Sequence, residues 1–117
     1  MEEKRMEIGE LNRAGIDYAD GLRRMSGNEA LYHKFLKKFL QDTSMIRLKD
    51  CLREGDMQGT YEAAHTLKGT SGTLGMYELA ECCDAVCKKI RNGEADFDID
   101  AVYDRYDIAI QAIERIE

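Results

Sequence analysis

His65 stands in the run Ala64-His65-Thr66-Leu67-Lys68-Gly69-Thr70-Ser71-Gly72-Thr73-Leu74-Gly75, a stretch whose spacing predicts a helix. At about 100° per residue, with the buried direction set at Leu67, Thr60, Ala63, Ser71 and Leu74 fall within about 40° of it. His65 lies about 160° away, on the solvent side. An imidazole that faces water from the middle of a helix has no packing role, which makes it a candidate for chemistry. Tyr61, Glu62, Gly69 and Gly72 share its face, since residues three and four apart are surface neighbours. Each of the two glycines weakens a helix interior by roughly 1 kcal/mol relative to alanine, so their presence asks for a reason. For Gly69 that reason is clearance for an approaching partner; for Gly72 it is either clearance or close packing of the next helix. Lys68, one turn beyond His65, offers a mobile point charge that would offset negative charge on a group attached to the ring. An open nucleophile with a cation beside it suits phosphoryl transfer to and from histidine.

The elements that position these residues follow from helical periodicity and capping signals. Residues up to Arg13 are mostly charged, with Met6, Ile8 and Leu11 as anchors. Asp17 caps a short helix through Met25 that Ser26-Gly27 ends. Asn28 caps a long helix to about Arg53, with Tyr32, Phe35, Leu36 and Phe39 in the i, i+3, i+4, i+7 pattern. The stripe shifts near Gln41–Ser44 and resumes at Met45, Leu48 and Leu52, which predicts a bend. Gly55 closes this helix, and Asp56 caps the histidine helix, which ends near Gly75. Leu79, Cys82, Cys83, Val86 and Ile90 carry the next helix, stopped by Asn92-Gly93. Ile99, Val102, Tyr106, Ala109, Ile113 and Ile116 carry the last, with Asp98 or Asp100 at its start. The absence of proline suits long uninterrupted helices. Short connections favour antiparallel neighbours.

The run from His65 through Gly69, followed by Ser71, Gly72 and Leu74-Gly75, resembles the signature of histidine-containing phosphotransfer (HPt) domains. Gly15-Ile16-Asp17, Gly21-Leu22 and Gly27-Asn28-Glu29 with Leu31-Tyr32 resemble the leading segment of bacterial members. Leu52, Gly55 and Asp56 match the family's turn before the histidine helix. The likeness runs from Ile8 to Ile116. It implies an all-α fold, an antiparallel up-down-up-down four-helix bundle over residues 15–117, preceded by a short N-terminal segment of helical character over residues 1–14. It also implies a phosphoryl carrier without kinase or phosphatase activity of its own, whose partners are response-regulator receiver domains and a hybrid histidine kinase. In that scheme a receiver brings a phospho-aspartate and Mg2+, this chain binds no cofactor, and His65 attacks phosphorus through Nε2. Lys68 steadies the phosphorylated product. The docking patch is expected to contain Tyr61, Gly69, Gly72 and Met76, with a contribution from the N-terminal half of the preceding long helix. A chemotaxis-kinase phosphotransfer domain carries a similar histidine-lysine-glycine motif, but the leading segment here looks more like stand-alone or hybrid-kinase members.

Composition agrees. With 117 residues the chain makes one domain able to bury a core. Its net charge of -6 argues against nucleic acid or anionic membrane as partner. No apolar run approaches the roughly 20 residues a membrane span needs, and Met1-Glu2-Glu3-Lys4-Arg5 leads into no apolar signal core. The expectation is a cytoplasmic monomer. No glycine-rich loop follows a strand to cradle nucleotide phosphates.

Other features have plainer readings. His33, beside Tyr32 and among Lys34, Lys37 and Lys38, reads as a solvated surface residue. The four cysteines lack the paired C-x2-4-C knuckles of a structural zinc site and a disulfide context, so they read as small apolar core residues. Tyr61 is either part of a docking patch or leans over the core edge. A cofactor-binding bundle would need inward ligands; Glu62-Ala63-Ala64-His65 has an i, i+3 Glu/His spacing but no second copy, and its face points outward. A docking scaffold with a vestigial histidine would not require the lysine and glycines beside it.

Overall fold

The computed structural model describes residues 1–116; Glu117, the last residue of the expected bundle, lies outside them. Among the described residues there are seven helices and no strand. They are α1 (Glu2–Arg13), α2 (Tyr18–Arg24), α3 (Glu29–Phe39), α4 (Ser44–Glu54), α5 (Met57–Thr73), α6 (Tyr77–Arg91) and α7 (Ile99–Glu114). The caps read from sequence act as such: the Asp17, Asn28, Asp56 and Asp98 carboxylate or amide oxygens accept from the backbone N–H three residues on, at 2.8–3.1 Å. Each such cap stabilises its helix by about 1 kcal/mol. Asp98, not Asp100, starts the last helix.

The long helix expected from Asn28 to Arg53 is two helices. The chain leaves α3 through bonds that reach back only three residues, Gln41 N to Lys38 O and Asp42 N to Phe39 O, and the Asp42 carboxylate then accepts from Ser44 N at 2.8 Å. Asp, Thr and Ser compete with the helix for their own backbone groups, which is why the run Asp42-Thr43-Ser44 interrupts it. The break lets each half serve a different neighbour. α3 packs on α7, with the Phe39 and Tyr106 rings 5.8 Å apart, while α4 packs along α5.

α5 is held between α4 and α6, and α6 packs on α7. Tyr32, Leu36, Leu48, Leu67, Val86 and Ile113 are all but fully buried in one cluster. Leu11 of α1 belongs to the same core; Met6, read as an anchor, is 63% exposed and does not serve as one. The N-terminal elements lock onto the end of α5. Asp17 N donates to Gly75 O at 2.8 Å, and the buried Tyr32 hydroxyl donates to Leu74 O at 2.7 Å. Gly75 has φ +85°, and a Cβ there would sit 2.7 Å from Asp17 O, so the joint admits only glycine. A Cβ on Gly21 would collide with the Tyr32 hydroxyl.

Candidate functional site

α5 presents its predicted faces. Thr60, Ala63, Leu67, Ser71 and Leu74 are buried, and His65 is exposed. Ala64 and Gly59 are buried as well, because α5 has neighbours on two sides and its covered arc is wider than one stripe. At Gly59 the approach of α4 is so close that a Cβ would lie 2.6 Å from Cys51 Sγ and 2.5 Å from its own cap, Asp56 Oδ2.

The His65 ring stacks on Tyr61, centroids 5.9 Å apart and planes 27° from parallel. Among the described residues neither ring nitrogen is engaged by a hydrogen bond or ion pair. Tyr61 is half-buried against the core edge, and its ring also supports the imidazole from the turn below. The Arg91 guanidinium of α6 lies 6.0 Å from the Tyr61 centroid, within cation–π range.

Lys68 turns toward α6. Its Nζ donates to Asp84 Oδ1 at 2.9 Å, and Lys88 Nζ lies 2.9 Å from Asp84 Oδ2. Hydrogen bonds from Lys68 and then Lys88 hold the Asp84 carboxyl down to about 2, and the same bond raises the Lys68 ammonium above its ordinary value. Asp84 and Arg91 were not singled out from sequence. Lys68 and Asp84 are 16 positions apart on different helices, and only the packing of α5 on α6 relates them.

Gly69 has open space where a Cβ would go, as the clearance argument requires. Gly72 points elsewhere: a Cβ would meet Ala80 of α6 at 3.9 Å, an ordinary contact, so neither access to His65 nor tight packing demands glycine there. Met76 does not belong to a docking patch. It is 1% exposed, because the chain turns inward between α5 and α6 and seats this side chain in the core.

Beside His65 runs a groove of about 760 Å³, walled by His65, Gly69 and Thr73 of α5, Phe35 and Phe39 of α3, and Met25 after α2. Lys38, Gln41 and Asp42 stand at the α3 end. The N-terminal half of the expected long helix, now α3, therefore does flank the histidine. Sequence reasoning read Phe35 and Phe39 only as core; that Phe35 is half-buried and that α3 stops at Phe39 are what open the groove. The Thr66, Thr70 and Thr73 hydroxyls donate to carbonyls four residues back, at 2.9–3.1 Å, so they are turned onto the helix.

His33 is not simply solvated: it is half-buried, its Nε2 is 2.7 Å from the Tyr18 hydroxyl, and it joins α2 to α3. The surrounding lysines obscured that role, which depends on Tyr18 arriving from another helix. Glu62 is paired with Arg47 at 2.8 Å across to α4. Cys51, Cys83 and Cys87 are buried, Cys82 is half-buried, and burial pushes the Cys83 thiol up to about 12. Among the described residues no group of three or more His, Cys, Asp or Glu side chains is placed to hold a metal ion. No helix among them is long and apolar enough to cross a membrane.

Comparison with known proteins adds one match. A family model described as the Hpt domain covers residues 34–116, from within α3 to the end of the core, with His65 and its neighbours inside the matched span. No curated protein and no solved structure matches the chain. The exposed histidine with its flanking lysine and glycine lies on a helical scaffold that this match spans, and the chain belongs to the Hpt domain family, the histidine phosphotransfer domains of phosphorelay signalling.

Proposed function

We propose that His65 accepts a phosphoryl group from the phospho-aspartate of a receiver domain and passes it to the aspartate of another. The observation that carries this reading is the His65 ring itself: exposed, free of hydrogen bonds and ion pairs among the described residues, and set at the lip of a groove with open space over Gly69. The lone pair of neutral His65 Nε2, the ring nitrogen farther from the backbone, attacks phosphorus in line. The N–P bond forms as the P–O bond to the aspartyl carboxylate breaks, and the carboxylate leaves with that electron pair. The proton on Nδ1 stays with the ring. Attack by a ring nitrogen that already carries its lone pair needs no dedicated base. Mg2+ held in the receiver's acidic pocket supplies charge neutralisation for the transferring group.

This chain contributes positioning. Tyr61 restrains the ring, Gly69 leaves room for the receiver, and the groove wall of Phe35, Phe39, Met25 and Thr73 offers a mostly apolar docking surface. Lys68 sits close enough along the helix to steady the phosphorylated product. The reading makes the chain a carrier without kinase or phosphatase activity, served by a hybrid histidine kinase, monomeric and cytoplasmic, of the bacterial stand-alone or hybrid-kinase type. It takes α3–α4, α5, α6 and α7 as the staves of an antiparallel up-down-up-down four-helix bundle. The two-residue link from α4 to α5 and the three-residue link from α5 to α6 support that arrangement. Residues 1–14 form the added N-terminal segment of this scheme.

The test is transfer of radiolabel from a panel of phosphorylated receiver domains. The intact chain should acquire acid-labile, alkali-stable label, and His65→Gln should remain folded by circular dichroism yet acquire none. Equal labelling of the His65→Gln variant would defeat the proposal.

A further inference from the structure

Asp84 divides its carboxylate between two lysines, Oδ1 to Lys68 and Oδ2 to Lys88, each at 2.9 Å. Lys68 lies one helical turn past His65 on α5, and its side chain remains 42% exposed on a flexible four-carbon stem. A phosphoryl group on His65 would bring a second anion within reach of the same ammonium. Lys68 cannot serve both fully. Its departure would not strand Asp84, because Lys88 keeps the other carboxylate oxygen paired.

The remaining groups near Lys68 do not alter this balance. Arg91 is a cation, and the Cys87 thiol, raised by burial, is not an anion at neutral pH. Asp84 is the only carboxylate that pairs with Lys68 among the described residues.

We propose that Asp84 is a positioning residue that competes with the phosphoryl group on His65 for Lys68 and so sets how long that group is held, with Lys88 as the counter-ion that lets Asp84 release Lys68. This rests on the reading of His65 as phosphoryl acceptor. The size of the effect is that of one partly exposed ion pair, about two- to fivefold in lifetime.

The experiment loads the full chain with phosphoramidate, without any receiver, and follows decay of the phosphohistidine signal by phosphorus NMR. Asp84→Asn should lengthen the lifetime about two- to fivefold, and Lys88→Ala, which leaves Asp84 with Lys68 alone, should shorten it. Lys68→Ala should also shorten it, and adding Asp84→Asn to Lys68→Ala should change nothing more. In the unphosphorylated chain, Asp84→Asn should lower the titration midpoint of the Lys68 side chain, read by carbon NMR at Cε. An Asp84→Asn lifetime that is unchanged or shorter while Lys68→Ala still shortens it overturns the competition and leaves His65 as acceptor. A Lys68→Ala lifetime equal to that of the unsubstituted chain overturns it by removing the contested cation. A chain that takes no phosphoryl group on His65 overturns the acceptor reading and this proposal together.

Discussion

Single residues in α5 separate the demands of stability from those of docking. Beyond the backbone of its own helix and its chain neighbours, nothing lies within 4 Å of a Cβ at Gly69, and its φ is helical, so alanine there removes backbone freedom from the unfolded chain without a clash. Gly69→Ala should therefore raise stability by about 0.5–1 kcal/mol in denaturant unfolding. Gly69→Phe should fold as well yet lose transfer from phosphorylated receivers, while phosphoramidate still labels His65. If receivers phosphorylate Gly69→Phe normally, the clearance argument fails. Gly59 looks identical in sequence and behaves oppositely. Its Cβ would meet Cys51 Sγ at 2.6 Å, so Gly59→Ala should destabilise by about 1–3 kcal/mol through overpacking. Asp84 has a pH signature of its own. Its carboxyl is held to about 2 against an ordinary 3.8, so it stabilises the folded chain above about pH 4 and that contribution disappears as pH falls through about 2. The stability difference between the intact chain and Asp84→Asn should accordingly shrink between pH 5 and pH 2 in denaturant titrations. His65, Lys68 and Gly69 could be picked out from one helix's spacing; Asp84 could not, since Lys68 reaches it from the preceding helix.

Helix limits were legible wherever a side chain signals to its own backbone. Asp17, Asn28, Asp56 and Asp98 each accept from an N–H three residues on, a local bond that needs no tertiary context. The interruption between α3 and α4 was legible only as a bend. Whether Asp42-Thr43-Ser44 bends or stops a helix depends on what the two halves pack against, and here α3 meets α7 while α4 meets α5. The joint among α2, α3 and the end of α5 was not legible, because it depends on the Tyr32 hydroxyl reaching Leu74 O, 42 positions away. Tyr32→Phe should cost about 1–3 kcal/mol, measured by denaturant unfolding, since it leaves that buried carbonyl without a donor.

At the scale of the whole molecule, the N-terminal helices share one core with the rest. Leu11, Ile16 and Tyr18 belong to the same buried cluster as Leu67 and Ile113, although the matched family span begins only at residue 34. The groove beside His65 is a product of this scale, since its walls come from α3, α5 and Met25 at the end of α2 together. Met76 marks the limit of reading one helix at a time. Counted along α5 it continues the histidine face, but the chain has already turned toward α6 and carries it inside. Periodicity and capping are properties of neighbouring residues, so the capped helix starts, the outward direction of His65 and the open side at Gly69 are legible from local spacing alone. Contacts between helices depend on how distant segments pack, so where Lys68 rests, what Gly59 touches, which face Met76 joins and where the groove opens follow from the assembled bundle.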